Sequence, residues 1–145
     1  MEKGDNMNIK TIAVIGSGIM GNGIAQLAAS SGYEVYLQDI TESALEKATE
    51  NIRKSLSRLK KKGRVEEGED DRVLKRIHPT LALQTAVEKA DYVIEAVSEN
   101  YDIKTEVFQS IDRFSPKNGI ISSNTSQFSI TGLAAKTSRP GQVIG

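Results

Sequence analysis

The run KTIAVIGSGIMGNG, residues 10–23, constrains this chain more than any other stretch. Thr11 to Ile15 is rich in β-branched residues and reads as a strand buried on both faces. Gly16, Gly18 and Gly21 follow at once as G-x-G-x-x-G. Ile19 to Ser30 then has the composition of a helix, closed by Gly32, and Tyr33 to Gln38 reads as a second strand ending in Asp39.

Each of these residues has a physical task. Gly16 lets the backbone turn sharply out of the strand, Gly18 lets a pyrophosphate approach the main chain, and Gly21 lets the helix pack closely on the strand. The helix start presents unpaired N–H groups and about half a positive charge to phosphates. The segment Gly16, Ser17, Gly18, Ile19, Met20, Gly21 is thus a candidate diphosphate cradle. Asp39 lies 18 positions beyond Gly21, where an acid accepts hydrogen bonds from ribose hydroxyls and repels a 2′-phosphate. The combination points to NAD rather than NADP.

The totals narrow the class further. With 145 residues the chain fits one domain with a real core. Lys+Arg and Asp+Glu are 19 each, so no global field favours nucleic acid or a membrane surface. There are no cysteines, which excludes thiol and disulfide chemistry. No apolar run approaches a membrane span and the N-terminus has no signal-peptide core, so the reading is cytoplasmic. Residues 1–8 read as a disordered extension.

After the second strand the pattern continues as alternating helices and strands. Ile40 to Lys62 carries an apolar stripe of Leu45, Ala48, Ile52, Leu56 and Leu59, with Thr41 as N-cap and Gly63 as stop. Its basic end is either a solvated face or a cationic lip for a phosphorylated ligand. Asp71 to Arg76 reads as a helical turn and Ile77 to Pro79 as a strand, at a sheet edge because Pro79 cannot donate to a ladder. His78, the one histidine, lies in that strand and reads as structural. Leu81 to Lys89 reads as a helix and Tyr92 to Val97 as a strand. Glu99 falls in the turn at the strand's carboxyl end, where ligands sit in such sheets; it is better placed for contact than Glu95, the alternative being an acid that caps the next helix. Asp102 to Phe114 is an amphipathic helix with Ile103, Val107, Phe108, Ile111 and Phe114 inward. Lys104 in its first turn opposes the helix dipole, a local conflict that hints at a ligand role. Gly119 to Ser122 is a fifth strand, and the quartet Ser123 to Ser126 either caps the helix Ile130 to Lys136 or presents hydroxyls to a substrate. Gln142 to Gly145 starts a sixth strand.

Three blocks together, AVIGSGIMGNGIAQLAASSGYEVYLQD, DYVIEAVSENYDIKTEVF and SSNTSQFSI, closely resemble the NAD-binding domain of the 3-hydroxyacyl-CoA dehydrogenases, and within them the bacterial 3-hydroxybutyryl-CoA dehydrogenases. The likeness runs from about residue 9 to residue 145. It implies a Rossmann α/β domain: a doubly wound parallel sheet in the order 3-2-1-4-5-6, helices on both faces, the sixth strand at one edge and cut short. It also implies NAD-linked interconversion of a 3-hydroxyacyl-CoA and a 3-ketoacyl-CoA. By position, Glu99 and Lys104 fall near the nicotinamide half of the cofactor. Ser126 matches a serine touching both nicotinamide and the substrate's C3 oxygen, and Ser55 and Lys62 match coenzyme A contacts.

The resemblance places further parts beyond residue 145: a catalytic histidine in an HFFNP-like segment, its partner acid, and a helical domain with an asparagine and the interface of a homodimer. His78 does not align with that histidine. Gln127, Phe128 and Gly132 replace a serine, a leucine and an acid usual in relatives. The expectation is a chain that binds NAD without appreciable turnover. The alternative is a stand-alone, non-catalytic NAD-binding module that senses redox state or docks to a partner.

Overall fold

Alternate residues of the first strand, β1 (Thr11–Ile15), serve two different cores. Ile12 and Val14 join one apolar cluster, Ala13 and Ile15 the other, as the period of two in a strand requires. β1 is therefore a central strand with a layer of helices on each face. The computed structural model describes residues 8–145. The extension expected over residues 1–8 lies, apart from Asn8, outside the described residues.

The sheet has six parallel strands in the order β3-β2-β1-β4-β5-β6. The others are β2 (Glu34–Gln38), β3 (Ile77–Thr80), β4 (Tyr92–Glu95), β5 (Ile120–Ser123) and β6 (Val143–Ile144). On one face lie α1 (Ile19–Ser30), α2 (Glu42–Lys61) and α3 (Glu69–Lys75). They bury Ala25, Leu45, Ala48, Ile52, Leu56 and Val73 against Ile12, Val14, Val35 and Leu37. On the other lie α4 (Leu83–Val87), α5 (Tyr101–Phe114) and α6 (Ile130–Ala134). There Val87, Phe108, Ile111 and Leu133 pack on Ala13, Ile15, Val93 and Ile121. The doubly wound fold and its strand order agree with the expectation.

Local chemistry sets the boundaries. Thr41 caps α2 as expected, its Oγ1 accepting from the Ala44 amide at 3.2 Å. β4 ends at Glu95, two residues before the expected Val97, because the Val97 amide turns back to donate to Glu95 Oε2 at 2.7 Å. α4 starts at Leu83, not Leu81, since the Leu81 carbonyl is held by Gln38 Nε2. α6 is capped by Ser129, whose Oγ accepts from the Gly132 amide. That takes the capping role away from the Ser123–Ser126 quartet. Pro79 sits on the edge strand β3, where its missing N–H breaks no ladder.

Entry to β6 is fixed by Arg139, whose side chain is 4% exposed. Its Nε donates to Asp112 Oδ1 at 2.9 Å and its Nη2 to the Asp112 carbonyl at 2.8 Å. Its Nη1 donates to the Pro116 carbonyl. One guanidinium thus satisfies carbonyls at the end of α5 and locks the last strand to it.

Candidate functional site

A cleft of about 730 Å³ opens at the carboxyl ends of β1, β2, β4 and β5. This is where the strand order reverses, between β1 and β4, and where ligands of doubly wound sheets bind. Gly16, Ser17, Gly18, Ile19, Met20, Asp39, Glu99, Lys104 and Ser126 all line it. Gly21 lies beneath, within α1. Ser55 and Lys62 are not among its walls.

The glycines do three separable things. A Cβ on Gly16 would meet the Ala96 carbonyl oxygen at 2.5 Å, and the residue has φ +105°, the left-handed region that favours glycine. A Cβ on Gly21 would lie 1.8 Å from the Gly16 carbonyl oxygen. These two are demanded by packing. A Cβ on Gly18 would meet nothing within 4 Å. Packing does not require that glycine, and the open space above it is what a diphosphate resting on the main chain needs. By this test the residues fit a dinucleotide.

Asp39 stands at the other rim. Its Oδ2 accepts from the Ser17 amide at 2.9 Å and the Ser17 hydroxyl at 2.6 Å, and its Oδ1 from the Ile40 amide at 2.7 Å. A carboxylate offers about four lone-pair sites, so three protein donors leave room for a ribose hydroxyl. Burial acts to raise its pKa, but the hydrogen bonds from Ser17 and Ile40 outweigh it and hold the carboxyl below the usual range. Asp39 is therefore an anion at neutral pH. Ser17 gives both its amide and its hydroxyl to Asp39.

The β4–β5 end is lined by Glu99, Lys104, Asn124 and Ser126. Lys104 is buried, its side chain 1% exposed, with Nζ 2.6 Å from Glu95 Oε2, 2.9 Å from Glu99 Oε1 and 3.1 Å from the Val97 carbonyl oxygen. The expected conflict with the helix dipole is answered by these two carboxylates. Lys104 in turn holds the Glu99 carboxyl below its usual pKa, assisted by the Thr125 hydroxyl. Glu99 does not cap α5; Asn100 does, its Oδ1 accepting from the Ile103 amide. The inward face of α5 is corrected here as well: Ile103 is 43% exposed and lines the cleft. The first turn overhangs the sheet's end, so its inner side meets ligand space rather than core.

Sequence reasoning missed Asn124, Ile40 and Val97 as cleft residues. Asn124 stood within the polar quartet after β5; the apolar pair carried no local signal. Ser55 accepts from Gln26 Nε2 at 3.0 Å, and Lys62 is the exposed C-cap of α2. His78 lies on β3, its Nε2 2.8 Å from Glu34 Oε1 and its ring against Tyr36, outside the cleft. A separate groove of about 710 Å³ between α2 and the loop after β3, lined by Glu42, Glu46, Pro79 and Leu81, contains none of the expected residues. Among the described residues, no helix is long and apolar enough to cross a membrane.

Comparison with known proteins places the fold in a family. Residues 11–145 match the family model described as 3-hydroxyacyl-CoA dehydrogenase, NAD binding domain. A probable 3-hydroxybutyryl-CoA dehydrogenase of Bacillus subtilis is 45% identical over 139 residues, 96% of this chain and 48% of its own length. The human mitochondrial hydroxyacyl-coenzyme A dehydrogenase is 38% identical over 142 residues, 94% of this chain and 45% of its own. The crystal structure of (S)-3-hydroxybutyryl-CoA dehydrogenase from Ralstonia eutropha superposes with a TM-score of 0.90 at 41% identity, covering 94% of this chain and 48% of that one. The chain spans about half the length of these relatives. With a match that runs from β1 to the final residue and a glycine cradle facing a paired carboxylate, the chain belongs to the 3-hydroxyacyl-CoA dehydrogenase NAD-binding domain family.

Proposed function

We propose that this chain is the cofactor-holding part of an NAD-dependent dehydrogenase that interconverts a 3-hydroxyacyl-CoA and a 3-ketoacyl-CoA, of the 3-hydroxybutyryl-CoA class. The observation that carries the reading is the open space over Gly18 opposite the anionic Asp39, in one cleft at the sheet's switch point. The cradle from Gly16 to Gly21 takes the diphosphate, and Asp39 the adenosine ribose. The nicotinamide half then extends toward Glu99, Lys104, Asn124 and Ser126.

Bound NAD supplies the hydride acceptor or donor. The chain's own residues bind, orient and exclude. The Ser126 hydroxyl contacts both the substrate's C3 oxygen and the nicotinamide. Ser55 and Lys62 hold coenzyme A. They are seven positions apart along α2 and its cap, hence on one helix face about 10 Å apart. The substrate's hydroxyl proton needs a positioned base with a pKa near the working pH. His78 is engaged with Glu34 on the edge strand and does not serve. These 145 residues thus bind the dinucleotide without appreciable turnover, and the complete enzyme is a homodimer.

Calorimetry with NADH and a steady-state assay with acetoacetyl-CoA and NADH test this together. NADH binding with negligible oxidation is expected. No binding would overturn the cofactor assignment. Turnover near that of an intact dehydrogenase would overturn the division of labour.

A further inference from the structure

Five residues at the carboxyl ends of β4 and β5 close a ring. Glu95, fully buried at the end of β4, accepts from the Ser123 hydroxyl at 2.5 Å through Oε1 and meets Lys104 Nζ at 2.6 Å through Oε2. Lys104 meets Glu99 Oε1 at 2.9 Å. Glu99 Oε2 accepts from the Thr125 hydroxyl at 2.9 Å, and the Thr125 amide donates back to Ser123 Oγ at 3.1 Å. The Val97 amide and carbonyl join from inside, on Glu95 and Lys104.

The ring is a poor source of stability. Removing two charges from water costs about as much as their attraction returns, and apolar residues of similar size often do as well. Its effect is geometric. Thr125 is a ring member, and its neighbours Asn124 and Ser126 both line the cleft. Thr125 Oγ1 also accepts from the Gln127 and Phe128 amides, which fixes the turn that carries Ser126. Lys104 has three N–H donors, and three oxygens surround its Nζ within 3.1 Å.

We propose that Glu95 is a positioning residue for the nicotinamide end of the cleft: through Lys104 and Ser123 it sets the loop that carries Asn124 and Ser126. The inference rests on the reading that the cleft holds NAD, with the adenosine ribose at Asp39. A merely structural ring would support every ligand of the cleft alike. A positioning ring supports only ligands that reach the β4–β5 end.

NADH and ADP-ribose, which lacks the nicotinamide, separate the two. Their affinities are measured by calorimetry on the wild-type chain, on Glu95→Gln, and on Ser123→Ala, which removes one hydroxyl and leaves both charges in place. The expected result is ADP-ribose binding within about twofold of wild type in both variants, with NADH binding weakened about tenfold in Glu95→Gln and several-fold in Ser123→Ala. Should Glu95→Gln fail to fold, Ser123→Ala decides by the same comparison. Parallel loss of both ligands, or no loss of NADH affinity, overturns the proposal. Wild-type binding of NADH no tighter than ADP-ribose overturns it too while leaving the dinucleotide reading intact. Failure of the wild type to bind ADP-ribose removes that reading itself, and the ring's role with it.

Discussion

Ser17 donates both its amide and its hydroxyl to a single oxygen of Asp39, at 2.9 and 2.6 Å. The loop after β1 is thereby tied to the tip of β2, 22 residues away. One carboxylate both shapes the glycine loop and remains available at the cleft rim. On the proposed reading, recognition of the ribose and geometry of the diphosphate cradle are therefore coupled.

Replacing Asp39 by Ala acts on both. NAD binding should weaken at least about tenfold, and its margin over NADP should narrow, because the carboxylate that repels a 2′-phosphate is gone. Loss of charge-assisted hydrogen bonds should lower stability by about 1–3 kcal/mol. Ser17→Ala keeps the carboxylate and should lose stability with the NAD-over-NADP preference retained. Calorimetry with both dinucleotides and urea denaturation check this pair; an unchanged preference in Asp39→Ala would remove the residue from its role.

Two glycine substitutions should part binding from folding. Gly21→Ala places a methyl 1.8 Å from the Gly16 carbonyl oxygen, which backbone must move to relieve. A loss of about 3 kcal/mol or more in stability is expected from such overpacking. Gly18→Ala adds a methyl to open space and should fold normally, yet block close approach of a diphosphate. Thermal denaturation and NADH titration should show a stable non-binder in the second case.

Acid should unlock β6 through Asp112. Burial acts to raise its pKa, but the Ser138 amide and hydroxyl and the Arg139 guanidinium hold it below the ordinary 3.8. A carboxylate with a lowered folded pKa contributes stability above its unfolded pKa and loses it as pH falls through the folded value. Asp112→Asn should cost about 2–4 kcal/mol at pH 7, since Arg139 stays buried without its counter-charge. That deficit should shrink below about pH 4, as the wild type becomes protonated at the same position. Denaturation of both proteins across pH measures it.

Lys62→Glu should weaken coenzyme A binding several-fold at low ionic strength and leave NADH binding unchanged, because Lys62 is exposed at the end of α2, outside the dinucleotide cleft. Equal titration curves for coenzyme A in the two proteins would take Lys62 out of the site. His78→Ala should change neither ligand, being confined to the Glu34 contact on β3.

The amino-acid order determined what depends on near neighbours. The glycine spacing, the β-branched run before it and the acid after β2 determined a dinucleotide fold, since turn geometry, strand burial and helix start are local matters. Thr41 as cap and Pro79 as an edge residue follow from the same local rules. Lys104 shows where they stop. Its charge in a first turn was visible as an oddity, but its burial, and its pairing with Glu95 and Glu99, come from packing α5 across the ends of β4 and β5. Glu95 and Ser123, 28 residues apart, meet only because β4 and β5 lie side by side in register. Tertiary structure alone decided that an acid inside a strand would be fully buried and still satisfied, because the donors that make this possible arrive from distant parts of the chain.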